Sequence, residues 1–182
     1  AAALTEVLVG RVAALKEKGV TPTLAIVRVG ARDDDLSYER GALKRCEKVG
    51  VAVRQFILPS DCTQDELMAV IGEVNADDGI HGCLMFRPLP RSLDERAACL
   101  ALNPRKDIDG ITPASQAMVY SGYGEGFFPC TAQSCLELLR FYSLDPAGMR
   151  TAVIGRSLVI GKPVSMMLQA ANATVTMCHT KT

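Results

Sequence analysis

The segment order predicts an α/β protein built on parallel sheet with helices on both faces. Three observations carry that prediction. Apolar runs of strand length recur at TLAIVRVG (23–30), HGCLMF (81–86), RTAVIG (150–155) and TVTMCH (174–179), while VAVRQFILP (51–59) alternates with period two. Stretches of helical length separate most of these runs, and a parallel pair needs such a crossover. Residues 104–129 interrupt the alternation with Gly, Pro and short polar residues, dividing the chain into a domain over 1–120 and the start of another over 121–182.

Each element follows from local chemistry. Residues 2–18, ending at Gly19, read as an amphipathic first helix rather than a secretion signal, because charges interrupt the apolar stretch. A helix over about 34–49 stops at Gly50. Thr63 caps the helix TQDELMAVIGEV, with Glu66 placed to complete a capping box. SLDERAACLALN (92–103) repeats that pattern with Ser92 as cap and Glu95 three residues on. The segment 104–129 is expected to hold a substrate loop and the passage between domains. A helix from Thr131 to about Tyr142 follows, and another runs to about Ala171 between the last two strands. A dinucleotide-binding fold ordinarily has two βαβ halves and one is visible, so the chain reads as truncated in its second domain.

Composition excludes several function classes. With 182 residues, 20 basic and 20 acidic side chains, the formal charge of zero provides no field for nucleic acid or an anionic membrane. No apolar run approaches the roughly 20 residues of a spanning helix. Seven cysteines without a C-x-x-C pair read as thiols of a reducing compartment, with the cytoplasm as the default. His81 and His179 are too few and too far apart for a metal cage, so no metal is expected.

GRSLVIGKP (155–163) directly follows a strand. Gly155 permits a tight turn, and Gly161 at the next helix start permits close approach of a ligand to the backbone. The spacing is G-x-S-x-x-x-G-x-P, so the generic G-x-G-x-x-G fingerprint does not apply. The two glycines fit plain loop punctuation equally well. Arg156 tilts the reading toward a cofactor, since a guanidinium can pair with a ribose 2′-phosphate.

Three strings carry a resemblance: PRKDIDGITP (104–113), FPCTAQSCLELL (128–139) and GRSLVIGKPVSMMLQAANATVTMCHTKT (155–182). LAIVRVG, a tyrosine eight residues after Gly30, and Pro88-Leu89-Pro90 fall in the same register. Together they resemble the methylenetetrahydrofolate dehydrogenase/cyclohydrolase family over essentially the whole chain. The resemblance implies a folate-binding N-terminal domain, a Rossmann-type NAD(P)-binding domain and a homodimer. It places Tyr38 against the aminobenzoyl ring and Asp109 on the pterin as the catalytic-site pair, with Pro88, Leu89 and Pro90 as an apolar wall. Gly155, Arg156, Ser157, Ile160, Gly161, Pro163, His179 and Thr180 fall at cofactor positions, with NADP favoured and NAD still open. A carboxylate accepting two donors from an aminopyrimidine edge suits Asp109 to its role. Without the resemblance, Tyr38 reads as an ordinary helix residue and Asp109 as a turn-former before Gly110.

The chain departs from the family at one constellation. The bifunctional members read S-x-x-Y-x-x-x-K, whose tyrosine and lysine share a helix face. Here Asp35 holds the serine position and Ala42 the lysine position, while Phe86 replaces the glutamine associated with that lysine. Lys44 lies about 200° around the helix from Ala42, a poor substitute. Arg87 cannot be a general base, because guanidinium does not deprotonate at working pH. Hydride transfer depends mainly on positioning, which can supply roughly 7–11 kcal/mol. Cyclohydrolysis needs proton transfers whose loss costs typically about 10²–10⁴-fold. The expectation is therefore a dehydrogenase that has lost cyclohydrolase activity. An intact bifunctional enzyme with Asp35 or another side chain substituting for the lysine, and a non-catalytic folate- or nucleotide-binding relic, are the alternatives.

Overall fold

The computed structural model describes residues 2–182. Contacts divide the chain after Leu102. The first unit holds helices α1 (Ala2–Glu17), α2 (Asp33–Val49), α3 (Gln64–Ala76) and α4 (Glu95–Ala101), with strands β1 (Thr23–Val29), β2 (Ala52–Leu58) and β3 (Gly82–Met85). Its sheet is wholly parallel in the order β2-β1-β3. The central strand is β1, and Ala25, Ile26 and Val27 have no solvent exposure, as expected of a strand covered on both faces. Edge strand β2 leaves Arg54 and Gln55 exposed, and Arg54 pairs with Glu73 and Asp77 of the following helix region.

Local signals account for most element ends. At α3, the Thr63 hydroxyl accepts from the Glu66 N–H at 3.2 Å and the Glu66 carboxylate accepts from the Thr63 N–H at 2.7 Å, completing the expected capping box. These bonds hold the Glu66 carboxyl below its ordinary value. Gly50 ends α2 in the left-handed conformation at φ 84°, which favours glycine. Two expectations need correction. The cap of α4 is Asp94, not Ser92, and its carboxylate accepts from the Ala97 N–H at 2.9 Å. Glu95, expected to serve a capping box, instead turns its carboxylate to Arg87 and Leu89. Helix α1 buries only Thr5 and Val12 and leaves Leu4, Val7, Val9 and Leu15 exposed, so its apolar residues do not form the single covered stripe expected.

The second unit holds α5 (Pro113–Ser121), α6 (Cys130–Phe141), strand β4 (Arg150–Ile154), α7 (Gly161–Ala170) and β5 (Thr174–Cys178). Strands β4 and β5 pair in parallel across α7, a single βαβ unit. Ala132, Leu136, Val164, Leu168 and Ala173 form its core, with Val153 and Val175 packed against them. Helix α5 lies inside the segment read as loop. Thr112 caps it by accepting from the Ser115 N–H at 3.2 Å, and Pro113 occupies the first turn. Its packing on α7 explains why contacts separate the units after Leu102 rather than near 120.

Candidate functional site

Three groups of residues in this fold carry the candidate chemistry: the α2 face around Tyr38, the loop that holds the two aspartates of KDIDG, and the turn after β4. At the first, Tyr38 is 62% exposed and its ring meets buried Phe86 edge-on, with ring centroids 5.5 Å apart at 74°. The residue at the expected glutamine position is thus an apolar support for the tyrosine. Beneath it, Arg28 of β1 donates from Nε to Glu39 Oε2 at 2.9 Å, and the Gln55 amide donates to Glu39 Oε1 at 2.7 Å. Both charges are buried, so each needs the other. Sequence reading missed this triad. The available signal was a cation inside the β-branched run TLAIVRV.

Asp35 is also engaged. Its carboxylate accepts both arms of the Arg32 guanidinium, at 2.9 and 2.8 Å, and this pairing holds the arginine above its ordinary pKa. Both oxygens of the Asp35 carboxylate are therefore occupied by Arg32. Ala42 is half-buried and Lys44 exposed. Pro88 is exposed, Leu89 buried and Pro90 half-buried, and the Arg87–Pro88 peptide is cis.

In the KDIDG loop the residue missed was Asp107, the first aspartate. It is fully buried and accepts from the Ile111 N–H at 2.9 Å, the Thr112 N–H at 2.7 Å and the Ser115 hydroxyl at 2.7 Å. Asp109, two residues on, is half-buried instead. Gly110 between them and α5 adopts φ 67°, and a Cβ there would meet the Phe127 carbonyl oxygen and the Pro129 nitrogen at 2.8 Å. The loop is therefore held from within while Asp109 keeps some solvent access. Cys130 Sγ donates to the Ile108 carbonyl at 3.1 Å. Cys130 is exposed at the surface, yet local desolvation of its sulfur, then the charge of Asp109, then that of Asp107, push this thiol above its ordinary value. Iodoacetamide is expected to label Cys130 slowly at neutral pH, and Asp109→Asn to speed labelling by about two- to threefold, because one nearby negative charge is gone. Peptide mapping by mass spectrometry reads this directly; an unchanged rate would separate Asp109 from the thiol.

The turn after β4 is tight. The Ser157 hydroxyl accepts from the Ile160 N–H at 3.0 Å and the Gly161 N–H at 3.3 Å, and the Lys162 N–H reaches the Ser157 carbonyl at 3.0 Å. Serine at the middle motif position thus satisfies amides at the start of α7. Arg156, Ser157 and Ile160 are exposed and Gly155 is half-buried, whereas Gly161 and Pro163 are buried. Pro163 lines a cavity of about 240 Å³ with Gln116, Val119, Leu158, Met166 and Met177. His179 closes a turn after β5, its Nδ1 accepting from the Lys181 N–H at 3.0 Å, and Thr180 in that turn is exposed. Gly155 to Ile160 and Thr180 thus lie at the carboxyl ends of β4 and β5, where open α/β sheets bind ligands. Among the described residues no cluster of three or more metal-ligating side chains is present, and no helix is long and apolar enough to cross a membrane.

Comparison with known proteins gives one answer. Residues 1–109 match the family model of the tetrahydrofolate dehydrogenase/cyclohydrolase catalytic domain, and 129–182 that of its NAD(P)-binding domain. The bifunctional protein FolD of Clostridioides difficile is 47% identical over 179 residues, which is 98% of this chain and 62% of that protein. The crystal structure of the Campylobacter jejuni bifunctional enzyme FolD superposes with a TM-score of 0.96 at 35% identity, covering 100% of this chain and 64% of that one. The Trypanosoma brucei methylenetetrahydrofolate dehydrogenase-cyclohydrolase, solved with NADP cofactor and inhibitor, gives 0.92 at 31% identity, over 97% of this chain and 61% of that one. The chain spans somewhat less than two thirds of the length of these relatives. With both family models matched in order along an α/β fold of the same form, the chain belongs to the tetrahydrofolate dehydrogenase/cyclohydrolase family.

Proposed function

We propose that this chain supplies the folate domain and the opening of the cofactor domain of an NAD(P)-dependent 5,10-methylenetetrahydrofolate dehydrogenase whose cyclohydrolase activity is lost. The observation that carries the loss is Phe86, buried and packed on Tyr38 where the resemblance implies an amide beside a lysine, opposite a helix that has Ala42 at the lysine position. No side chain of that set can shuttle protons: Ala42 and Phe86 have no ionisable group, and Asp35 is forked to Arg32. Hydride transfer makes a smaller demand. In this reading Tyr38 stacks on the aminobenzoyl ring, Pro88, Leu89 and Pro90 wall the folate, and Asp109 orients the pterin through two hydrogen bonds.

Gly155, Arg156, Ser157, Ile160, Gly161, Pro163, His179 and Thr180 are the residues proposed to form the dinucleotide site, with Arg156 toward a 2′-phosphate and so toward NADP. They fit that group: the guanidinium is exposed, and Gly155 leaves open space where a side chain would stand. The bound nicotinamide supplies the hydride acceptor. Residues 1–120 would serve the folate and 121–182 the cofactor. A homodimer paired through the cofactor domain is the assembly the resemblance implies, and the cysteine usage points to the cytoplasm.

The bifunctional reading is favoured by the name of the 47%-identical Clostridioides difficile relative. A paired assay on the full-length protein separates the two. We expect robust formation of reduced nicotinamide from methylenetetrahydrofolate, and methenyl hydrolysis slower than in a lysine-bearing bifunctional relative by about 10²–10⁴-fold. Hydrolysis far above the buffer rate would overturn the loss, and absence of reduced nicotinamide would leave a binding relic. Ala42→Lys and the double variant Ala42→Lys/Phe86→Gln are the companions. If hydrolysis returns only in the double variant, Phe86 is part of the block.

A further inference from the structure

We propose that Glu95 is a positioning residue for the folate wall, fixing the Arg87–Pro88–Leu89 segment through one carboxylate; the proposal rests on the folate-binding reading above. Pro88 and Pro90 have no N–H, so Leu89 carries the only backbone donor of that triplet. Glu95 Oε2 accepts it at 2.8 Å, and Oε1 accepts from the Arg87 guanidinium at 3.2 Å. The flanks are pinned separately: Phe86 N–H donates to the Val27 carbonyl at 2.9 Å, and Leu93 N–H to the Pro90 carbonyl at 3.0 Å. Between those two anchors, Glu95 is the side chain that grips the wall from α4.

The start of α4 does not need this carboxylate. Asp94 caps the helix, and its own N–H donates to the Gln64 side chain at 2.8 Å. Glu95 is therefore free to act on the loop, and removing it leaves the cap in place. Because proline fixes φ on both sides of Leu89, a shift at its N–H carries Pro88 and Pro90 along. Both of these Glu95 hydrogen bonds end on the wall segment, so its effect is expected to reach the ligand through that segment.

The test uses the full-length protein, with tetrahydrofolate and NADP titrated separately by calorimetry. Glu95→Ala is expected to weaken tetrahydrofolate binding by about fivefold, a charged hydrogen bond discounted for its partial exposure, and to hold NADP affinity within about twofold. Glu95→Gln keeps an acceptor for the Leu89 N–H and should recover most of the loss. Arg87→Met removes only the ion pair and should cost less than Glu95→Ala. In steady state the change falls on KM for the folate with kcat retained. Equal tetrahydrofolate affinity in Glu95→Ala and the parent protein would overturn the proposal, as would NADP affinity falling in step. If Glu95→Ala does not fold, the Glu95→Gln and Arg87→Met titrations decide it. A parent protein that binds tetrahydrofolate but oxidises no methylene form would refute the dehydrogenase reading alone, since the affinity comparison still judges Glu95.

Discussion

Asp107→Ala is expected to destabilise the second unit by about 3–5 kcal/mol and to weaken folate binding with it. The Asp107 carboxylate has no solvent exposure and takes hydrogen bonds from the Ile111 and Thr112 amides and the Ser115 hydroxyl. Alanine leaves those donors buried. The serine can redirect its proton, but the two amides cannot, and each orphaned buried donor costs about 1–3 kcal/mol. The amides belong to the turn that leads into α5, so their release loosens Gly110 and, with it, Asp109. Asp107→Asn keeps one acceptor oxygen and should lose roughly half as much. The urea midpoint of the second unit, followed by circular dichroism, reads the stability, and titration with tetrahydrofolate reads the site. A midpoint for Asp107→Ala matching the parent would show that water or relaxation supplies the missing acceptor.

The contrast between Asp107 and Asp109 shows where sequence reading reaches and where it stops. Both aspartates sit in one five-residue string, and the resemblance singled out the second. Nothing in the string reveals that the first is a buried fastener, because its partners are backbone amides, which every residue has. The parallel strands were legible because Ala25 to Val27 and Val153 lie in β-branched runs with little competition from helix formers. Helix α5 was hidden by composition, as Gly122, Gly124 and Gly126 follow it closely. Its start signal, Thr112 before Pro113, was present all the same. At α4 the expected Ser92–Glu95 capping box does not form: Asp94 caps the helix, and the loop at Leu89 claims the Glu95 carboxylate. The Arg28–Glu39–Gln55 triad joins three elements, so only the odd cation in β1 could have hinted at it.

Gly161→Ala is expected to weaken NADP binding by about tenfold to a hundredfold, the equivalent of roughly 1–3 kcal/mol of overpacking. The constraint is steric: a Cβ at 161 would stand 2.2 Å from the Gly155 carbonyl oxygen, 2.4 Å from its carbon and 2.8 Å from the Arg156 nitrogen. These are backbone atoms and cannot rotate away as a side chain would. Either the strand end or the start of α7 must move, and the Ser157 cap on the Ile160 and Gly161 amides resists the second. The movement falls on Gly155 and Arg156, the residues proposed to meet the nucleotide. Gly10→Ala in α1 is the matched control, because nothing lies within 4 Å of a Cβ there. That exchange should leave NADP affinity unchanged and, in a helix interior, stabilise by about 0.5–1 kcal/mol. Calorimetric titration of both variants with NADP makes the comparison. If Gly161→Ala binds NADP as tightly as the Gly10→Ala control, the turn between β4 and α7 does not hold the dinucleotide, and the cofactor assignment fails with it.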